Sequence, residues 1–132
     1  MATIRKEITT AARPQDAWDA MRDVGALHTR LVPGFAVDTK LEEGARIVTF
    51  ANGMVAKELI VSCDDAARRI CWSAVGGRLT HHNASAQVFS EGAGSRVVWT
   101  CDLLPDALAP AIEGMIAQGL AAMKAALDKL AA

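Results

Sequence analysis

The sequence predicts an α+β fold in which a curved antiparallel sheet of about seven strands wraps around one long C-terminal helix. Three observations support this prediction. The first residues alternate between apolar and polar side chains, the middle of the chain contains short apolar runs separated by turn residues, and the last segment repeats apolar residues every three or four positions. The 132 residues suit a single domain covering 1–132.

The N-terminal segment predicts one strand followed by two short helices. In Ala2–Thr10 the apolar residues Ile4 and Ile8 lie on one face and polar residues lie on the other, which is typical of a half-exposed strand. Pro14 then suits the first turn of a helix. A second short helical piece ends where Pro33 and Gly34 follow it.

The middle of the chain predicts six further strands joined by short turns. Asn52-Gly53 is the strongest turn signal, since a two-residue turn of type I′ needs a positive φ at both central positions. Gly76-Gly77 and the run 91–95 separate later strands. Strands that follow one another through short turns pair antiparallel. The predicted strands are 35–41, 46–50, 54–63, 69–75, 79–90 and 96–103.

The last segment predicts an amphipathic helix over 106–130. Apolar residues recur there at helical spacing, and polar residues occupy the other side. This helix is the only element long enough to cover the inner face of the sheet. Because small residues such as Ala84, Ala86 and Gly119 lie along the elements that would face each other, we expect a cavity between helix and sheet.

Composition excludes several classes of function. The chain has 14 Lys and Arg against 15 Asp and Glu, a net charge of −1, so it has no excess of basic residues for nucleic acid. It has no apolar run of the roughly 18 residues that a membrane helix needs, and we expect no secretory signal. Three cysteines without C-x-x-C spacing indicate reduced thiols and a cytoplasmic location. No metal-ligand spacing and no nucleotide-binding loop occur, so we expect neither metal nor cofactor.

The order of elements and two motifs resemble the START/SRPBCC superfamily. One motif is Asp-Ala-Trp-Asp around Trp18, and the other is Ser-Arg-Val-Val-Trp-Thr-x-Asp-x-x-Pro at 95–105. The branch it resembles most is that of the small bacterial polyketide cyclase/dehydrase and lipid-transport-like proteins. The resemblance covers essentially the whole chain and implies a helix-grip fold with a deep pocket for a hydrophobic or aromatic ligand. It does not imply one activity, because the superfamily contains carriers, sensors, cyclases and chaperone regulators.

The sharpest candidate for chemistry is the pair His81-His82, on the strand before the final hairpin. Neighbouring strand residues point to opposite faces, so only one of the two reaches the cavity. A turn centred on Ala93 places the odd-numbered residues of both strands on one face, and we expect that face to line the cavity. A slip of one residue would bring His82 inward and expose His81.

If the protein is an enzyme, the predicted acid/base group is His81, because imidazole titrates near neutral pH. Asp102 is predicted to orient it, and Asn83 and Gln87 to supply hydrogen bonds. The alternatives are structural: a histidine that shapes the cavity mouth, and a solvated aspartate near a helix N-terminus. Further predicted ligand contacts are polar, aromatic and helix-borne side chains: His82, Ser85, Trp72, Trp99, Glu58, Met115, Gly119, Leu120 and Met123.

Three functions remain open from the sequence. The first is a carrier or sensor of a small hydrophobic or aromatic molecule that resembles a lipid or polyketide. The second is a cyclase- or dehydratase-like enzyme that moves a proton at a carbon next to a carbonyl. The third is a protein-interaction module of the chaperone-regulator type, which should have an exposed apolar patch and a filled core. The expected partner is a small hydrophobic ligand, and the expected assembly is a monomer or homodimer.

Overall fold

The computed structural model describes all 132 residues and contains one seven-stranded sheet, in the order β1-β7-β6-β5-β4-β3-β2. Every pair of neighbouring strands is antiparallel. The predicted fold class is therefore confirmed. The strands are β1 Ala2–Thr10, β2 Ala36–Glu42, β3 Ala45–Phe50, β4 Val55–Asp64, β5 Arg69–Val75, β6 His81–Glu91 and β7 Gly94–Leu104.

Two α-helices and three short helical turns complete the chain. Helix α1, Pro14–Arg22, begins at the proline that predicted it. A 3-10 turn, Val24–Ala26, and a π-helical turn, Leu27–Leu31, then lead into β2. Helix α2, Ala109–Leu130, follows a 3-10 turn and so begins at Ala109 rather than at residue 106. None of these helices combines the length and the apolar character required to cross a membrane.

Helix α2 lies against the concave face of the sheet. Its buried residues Ile116, Leu120 and Leu127 belong to one apolar core with Ile4 of β1 and Leu103 of β7. The spacing of these helical residues, three or four positions apart, puts them on one side of the helix. The helix therefore closes the space that the curved strands enclose.

The C-terminal half of α2 is fixed to the end of β1 by polar contacts. The Thr10 hydroxyl and the Ala11 backbone N–H both donate to Asp128 Oδ1, at 2.6 and 3.0 Å. These hydrogen bonds stabilise the carboxylate and lower the pKa of Asp128 below its ordinary value. Lys124 Nζ donates to the Thr9 carbonyl at 2.6 Å. The helix is thus held at a fixed position over the sheet.

Two hairpin turns differ in detail from the prediction. The Asn52-Gly53 turn does join β3 to β4, but only Gly53 has a positive φ, +88°, so the predicted type I′ geometry is wrong. The Phe50 N–H donates to the Met54 carbonyl across a three-residue loop. A glycine in the left-handed region is the usual last residue of such a loop.

The β6–β7 turn is one residue tighter than predicted. Glu91 pairs with Gly94, so Gly92 and Ala93 form a two-residue turn, with Gly92 at φ +56°. In this register His82 lies opposite Leu103, so even-numbered residues of β6 pair with odd-numbered residues of β7. The prediction had paired odd-numbered residues of both strands. The predicted odd-numbered face is therefore wrong for β6: its even-numbered residues face the core together with the odd-numbered residues of β7.

Candidate functional site

A cavity of about 150 Å³ lies between α2, the concave face of the sheet and the segment that precedes β2. Of its 21 lining residues 18 are hydrophobic, among them Phe35, Ile70 and Ile112. An engineered apolar cavity of about 150 Å³ in another protein holds one benzene molecule. This site therefore offers room for a molecule of about that size.

The three polar residues of the lining are Arg46, Glu58 and His82. Arg46 of β3 and Glu58 of β4 are directly opposite each other in the antiparallel register. Arg46 Nε donates to Glu58 Oε1 at 2.8 Å, and the two side chains are only 5% and 10% exposed. Arg46 Nη1 also donates to the Val24 carbonyl at 3.3 Å. The cavity wall thus contains a buried ion pair with no net charge.

Glu58, a predicted ligand contact, does line the cavity. Arg46 is the polar residue that the sequence prediction missed. A signal for it was present, since Arg46 alternates with Val48, which is fully buried. The ion pair uses Glu58 Oε1, and Glu58 Oε2 makes no hydrogen bond inside the chain.

His82 sits where β5 and β6 separate. The regular pairing of these strands ends at Trp72 and Ala84, and beyond it the Ala74 N–H donates to His82 Nδ1 at 2.9 Å. A backbone N–H cannot accept a hydrogen bond, so Nδ1 carries no proton and the neutral ring keeps its proton on Nε2. Burial, with a smaller contribution from His81, lowers the pKa of His82. At neutral pH this side chain is therefore a donor, not a base, at Nε2.

Two tryptophans form the aromatic part of the lining. The rings of Trp72 and Trp99 meet edge to face, with centroids 5.5 Å apart. The Cζ3 and Cη2 edge of Trp99 lies against α2 at Gly119, where an added Cβ would be only 3.1 Å from the ring. Gly119 is therefore a packing position that allows the helix to approach Trp99. Both predicted tryptophans do line the cavity.

The structure separates the other predicted site residues into three groups. Met115 and Met123 line the cavity, whereas Gly119 and Leu120 are buried in the helix–sheet contact beside it. Asp102 of β7 does not line the cavity. The predicted odd-numbered residues of β6 do not line it either: His81, Asn83, Ser85 and Gln87.

The predicted pair His81 and Asp102 lies outside the cavity. The register difference turns His81 outward with the other odd-numbered residues of β6, whereas Asp102 belongs to the even-numbered face of β7, which points away from the core. His81 is exposed, and Asp102 Oδ1 accepts a 2.7 Å hydrogen bond from the Thr3 hydroxyl. Gln87 likewise has a structural partner, donating to the Ala67 carbonyl at 3.1 Å. Asp102 and Gln87 thus stabilise strand and turn contacts. No three His, Cys, Asp or Glu side chains come together as a metal site.

Comparisons with known proteins agree with this architecture. A family model described as "Polyketide cyclase / dehydrase and lipid transport" matches residues 1–132. No curated protein matches the chain significantly. Among solved structures, the protein XoxI from Bacillus cereus is 20% identical over 98% of both chains, with a TM-score of 0.87.

Two further solved structures are a protein from a biosynthetic pathway and a synthase. The di-domain ARO/CYC protein BexL, from the BE-7585A biosynthetic pathway, is 19% identical over 97% of this chain and 47% of its own, with a TM-score of 0.83. Norcoclaurine synthase from Thalictrum flavum, in complex with dopamine and hydroxybenzaldehyde, is 22% identical over 98% of this chain and 85% of its own, with a TM-score of 0.71. At these identities the likeness shows a shared fold.

Proposed function

Because this chain belongs to the polyketide cyclase/dehydrase and lipid-transport family, we propose that it binds a small apolar or aromatic molecule between the sheet and α2, as a carrier or sensor. The predicted membership of the START/SRPBCC superfamily is confirmed by the same match and by the shared fold. The observation that carries the proposal is the cavity of about 150 Å³ with 18 hydrophobic residues among its 21. Sites for small molecules typically combine an apolar lining with a few polar groups.

The size of the cavity sets the scale of the affinity. Burying an aromatic ring removes about 150–250 Å² of apolar surface from water, worth about 4–6 kcal/mol at most. A bare single ring is therefore expected to bind with a dissociation constant of about 0.1–1 mM. Tighter binding requires the polar groups of the lining to contribute.

A pair of Ala-to-Trp variants tests the binding proposal. Ala56 of β4 is half-buried and lines the cavity, whereas Ala117 of α2 is exposed and does not. Titration of the protein with ethylbenzene, followed by methyl NMR spectra, should give saturable shifts in wild type and in Ala117→Trp. Ala56→Trp should lose them, because the indole occupies the cavity. Absence of saturable shifts in wild type would contradict the proposal.

An enzyme of the cyclase or dehydratase type is the second candidate, and one observation favours it. The cavity combines a carboxylate oxygen without a partner, Glu58 Oε2, with a neutral imidazole that donates from Nε2, His82. Abstraction of a proton next to a carbonyl needs a base and a donor for the developing enolate oxygen. The carboxylate of Glu58 is already engaged by Arg46 at Oε1, which is why binding is the first proposal.

Deuterium exchange tests the enzymatic alternative directly. In D₂O an active protein should accelerate the replacement of the methyl hydrogens of acetophenone by deuterium. Glu58→Gln should abolish the acceleration while acetophenone still binds, and His82→Asn should reduce it, since Asn keeps an acceptor for the Ala74 N–H but lacks the Nε2 donor. Exchange in the presence of wild-type protein that is no faster than in buffer would argue for a carrier or sensor.

The third candidate, an interaction module, is disfavoured by the cavity, since such a protein was expected to have a filled core.

A further inference from the structure

The pairing of β5 with β6 stops before either strand ends. Trp72 and Ala84 are the last paired residues, although β5 continues to Val75 and β6 begins at His81. Over the same stretch β5 remains paired with β4, and β6 remains paired with β7. The sheet therefore has a gap in its middle, with an intact strand pair on each side.

Two hydrogen bonds cross this gap, and both end on His82. The Ser73 hydroxyl donates to the His82 carbonyl, and the Ala74 N–H donates to His82 Nδ1 at 2.9 Å. The loop that joins the two strands contains Gly76 and Gly77, both at positive φ and without close neighbours. A histidine ring thus replaces part of the regular backbone ladder, next to a loop that is not packed at its glycines.

His82 also separates two spaces on opposite faces of the sheet. A surface depression on the convex face is lined by outward-facing residues that include Ser73 and Asn83. The cavity beneath α2 lies on the concave face. Three residues line both spaces: Ala74, Leu79 and His82. The gap between β5 and β6 is therefore closed by these few side chains.

From this arrangement we propose that the ligand enters the cavity through the gap between β5 and β6, and that neutral His82 keeps this gap closed. The inference rests on the proposed binding function and adds to it a route and a regulation by pH. A neutral imidazole accepts the Ala74 N–H at Nδ1, whereas the protonated ring has two donors and no acceptor. Protonation therefore breaks this bond, and outward rotation of the ring joins the depression to the cavity.

The charged groups around His82 do not include an unpaired carboxylate that would hold the protonated ring in place. On β6 the neighbour is His81, which is exposed and repels a second positive charge. On β4 it is Glu58, which is paired with Arg46 of β3. The other elements contribute apolar lining residues of α2, exposed Arg78 of the loop, and Asp102 of β7, which is bonded to the Thr3 hydroxyl.

Acidic pH is expected to favour the open gap. Burial, and to a lesser extent His81, lowers the pKa of His82 while the gap is closed. A ring that has turned out into water regains its ordinary pKa of 6.5 and takes up a proton more readily. As the pH falls below 6.5 the open form therefore becomes more populated, and entry and exit of a ligand should accelerate together.

The exchange rates of an uncharged probe test this regulation. Ethylbenzene has no titratable group, so any pH dependence of its exchange comes from the protein. Its association and dissociation rate constants are measured by NMR line-shape analysis between pH 8 and pH 5. In wild type both should rise about five- to tenfold toward pH 5, as expected for the loss of one hydrogen bond. The dissociation constant, which is their ratio, should change little.

Three variants separate the His82 ring from its surroundings. His82→Asn keeps an acceptor for the Ala74 N–H but cannot titrate, so its rates should stay slow at every pH. His82→Ala removes the acceptor, so its rates should be fast at pH 8 as well as at pH 5. His81→Asn is the matched control on the exposed neighbour and should retain the pH dependence of wild type.

A pair of tryptophan variants tests the route. Asn83→Trp fills the depression outside the gap and should slow both rates, whereas Met54→Trp, at another exposed part of the cavity lining, should not. The inference is wrong, and the binding function stands, if Asn83→Trp leaves exchange unchanged, if wild-type rates do not depend on pH, or if His82→Asn retains that dependence. If ethylbenzene does not bind to wild-type protein at all, the proposed function itself fails.

Discussion

Replacing Glu58 by Gln is expected to reduce the free energy of unfolding by about 3–5 kcal/mol, because it leaves a buried cation without its counter-ion. Arg46 is the cation, and its side chain is only 5% exposed. Gln has nearly the same shape as Glu and can still accept a hydrogen bond from Arg46 Nε. The substitution therefore removes the charge while disturbing the packing of the cavity wall little.

The magnitude follows from the geometry of the pair. At 2.8 Å, and with an effective dielectric constant of 20, the attraction between the two charges is about 6 kcal/mol. In the intact protein this attraction offsets a desolvation penalty of several kcal/mol for each ion. The variant loses the attraction but still buries Arg46, whose bond to the Val24 carbonyl and position 5.9 Å from the centroid of the Trp72 ring recover part of the loss.

Urea unfolding followed by circular dichroism measures the effect. Glu42→Gln is the matched control, since Glu42 pairs with Lys57 at 3.4 Å on the surface, and its loss should cost less than about 1 kcal/mol. The double variant Arg46→Met/Glu58→Leu should recover most of the lost stability, because it removes both buried charges. The reasoning is refuted if Glu58→Gln is no more destabilising than Glu42→Gln, or if the double variant loses as much stability as the two single variants together.

Three further outcomes are expected. Gly94→Ala should lower the free energy of unfolding by about 2 kcal/mol or more in urea titrations, because its Cβ would collide with the Thr10 carbonyl and separate β1 from β7; an unchanged midpoint would contradict this. A thiol reagent at pH 8 should modify exposed Cys63 while the protein is folded, whereas Cys101, whose pKa burial raises to about 11, should react only after unfolding. His82, whose pKa is lowered in the fold, contributes stability above its ordinary pKa of 6.5, and this stability should disappear as the pH falls through the lowered pKa. The melting temperature of His82→Asn should therefore fall less between pH 7 and 5 than that of wild type, and parallel curves would exclude the effect.

The fold could be predicted because its signals are local. The alternation in β1 and the residues that flank β5 gave the observed bounds, Ala2–Thr10 and Arg69–Val75. The helical spacing after Pro105 gave α2 apart from its first turn. Each of these signals lies within about ten to twenty residues, and none depends on which strands become neighbours.

The candidate site could be predicted only in part, because it depends on register. Glu58, His82 and Trp99 were among the predicted ligand contacts and do line the cavity. Arg46 was missed because an arginine is ordinarily placed outside the core. Its burial becomes intelligible only when β3 and β4 are aligned so that Glu58 lies opposite it, and that alignment depends on a three-residue loop instead of a two-residue turn.

The alternation within β6 and β7 contains the register that the turn alone did not reveal. In β6 the even-numbered residues after His82 are Ala84, Ala86 and Val88, with Ser90 next to the turn, whereas the odd-numbered ones are polar, apart from Phe89 near the turn. In β7 the odd-numbered residues are the apolar set, including Trp99 and Leu103. Even-numbered residues of one strand can share a face with odd-numbered residues of the next only if the turn between them has an even number of residues, and Gly92-Ala93 has two. The apolar faces of two strands thus determine the length of the turn between them, and through it the choice of His82 over His81 for the cavity.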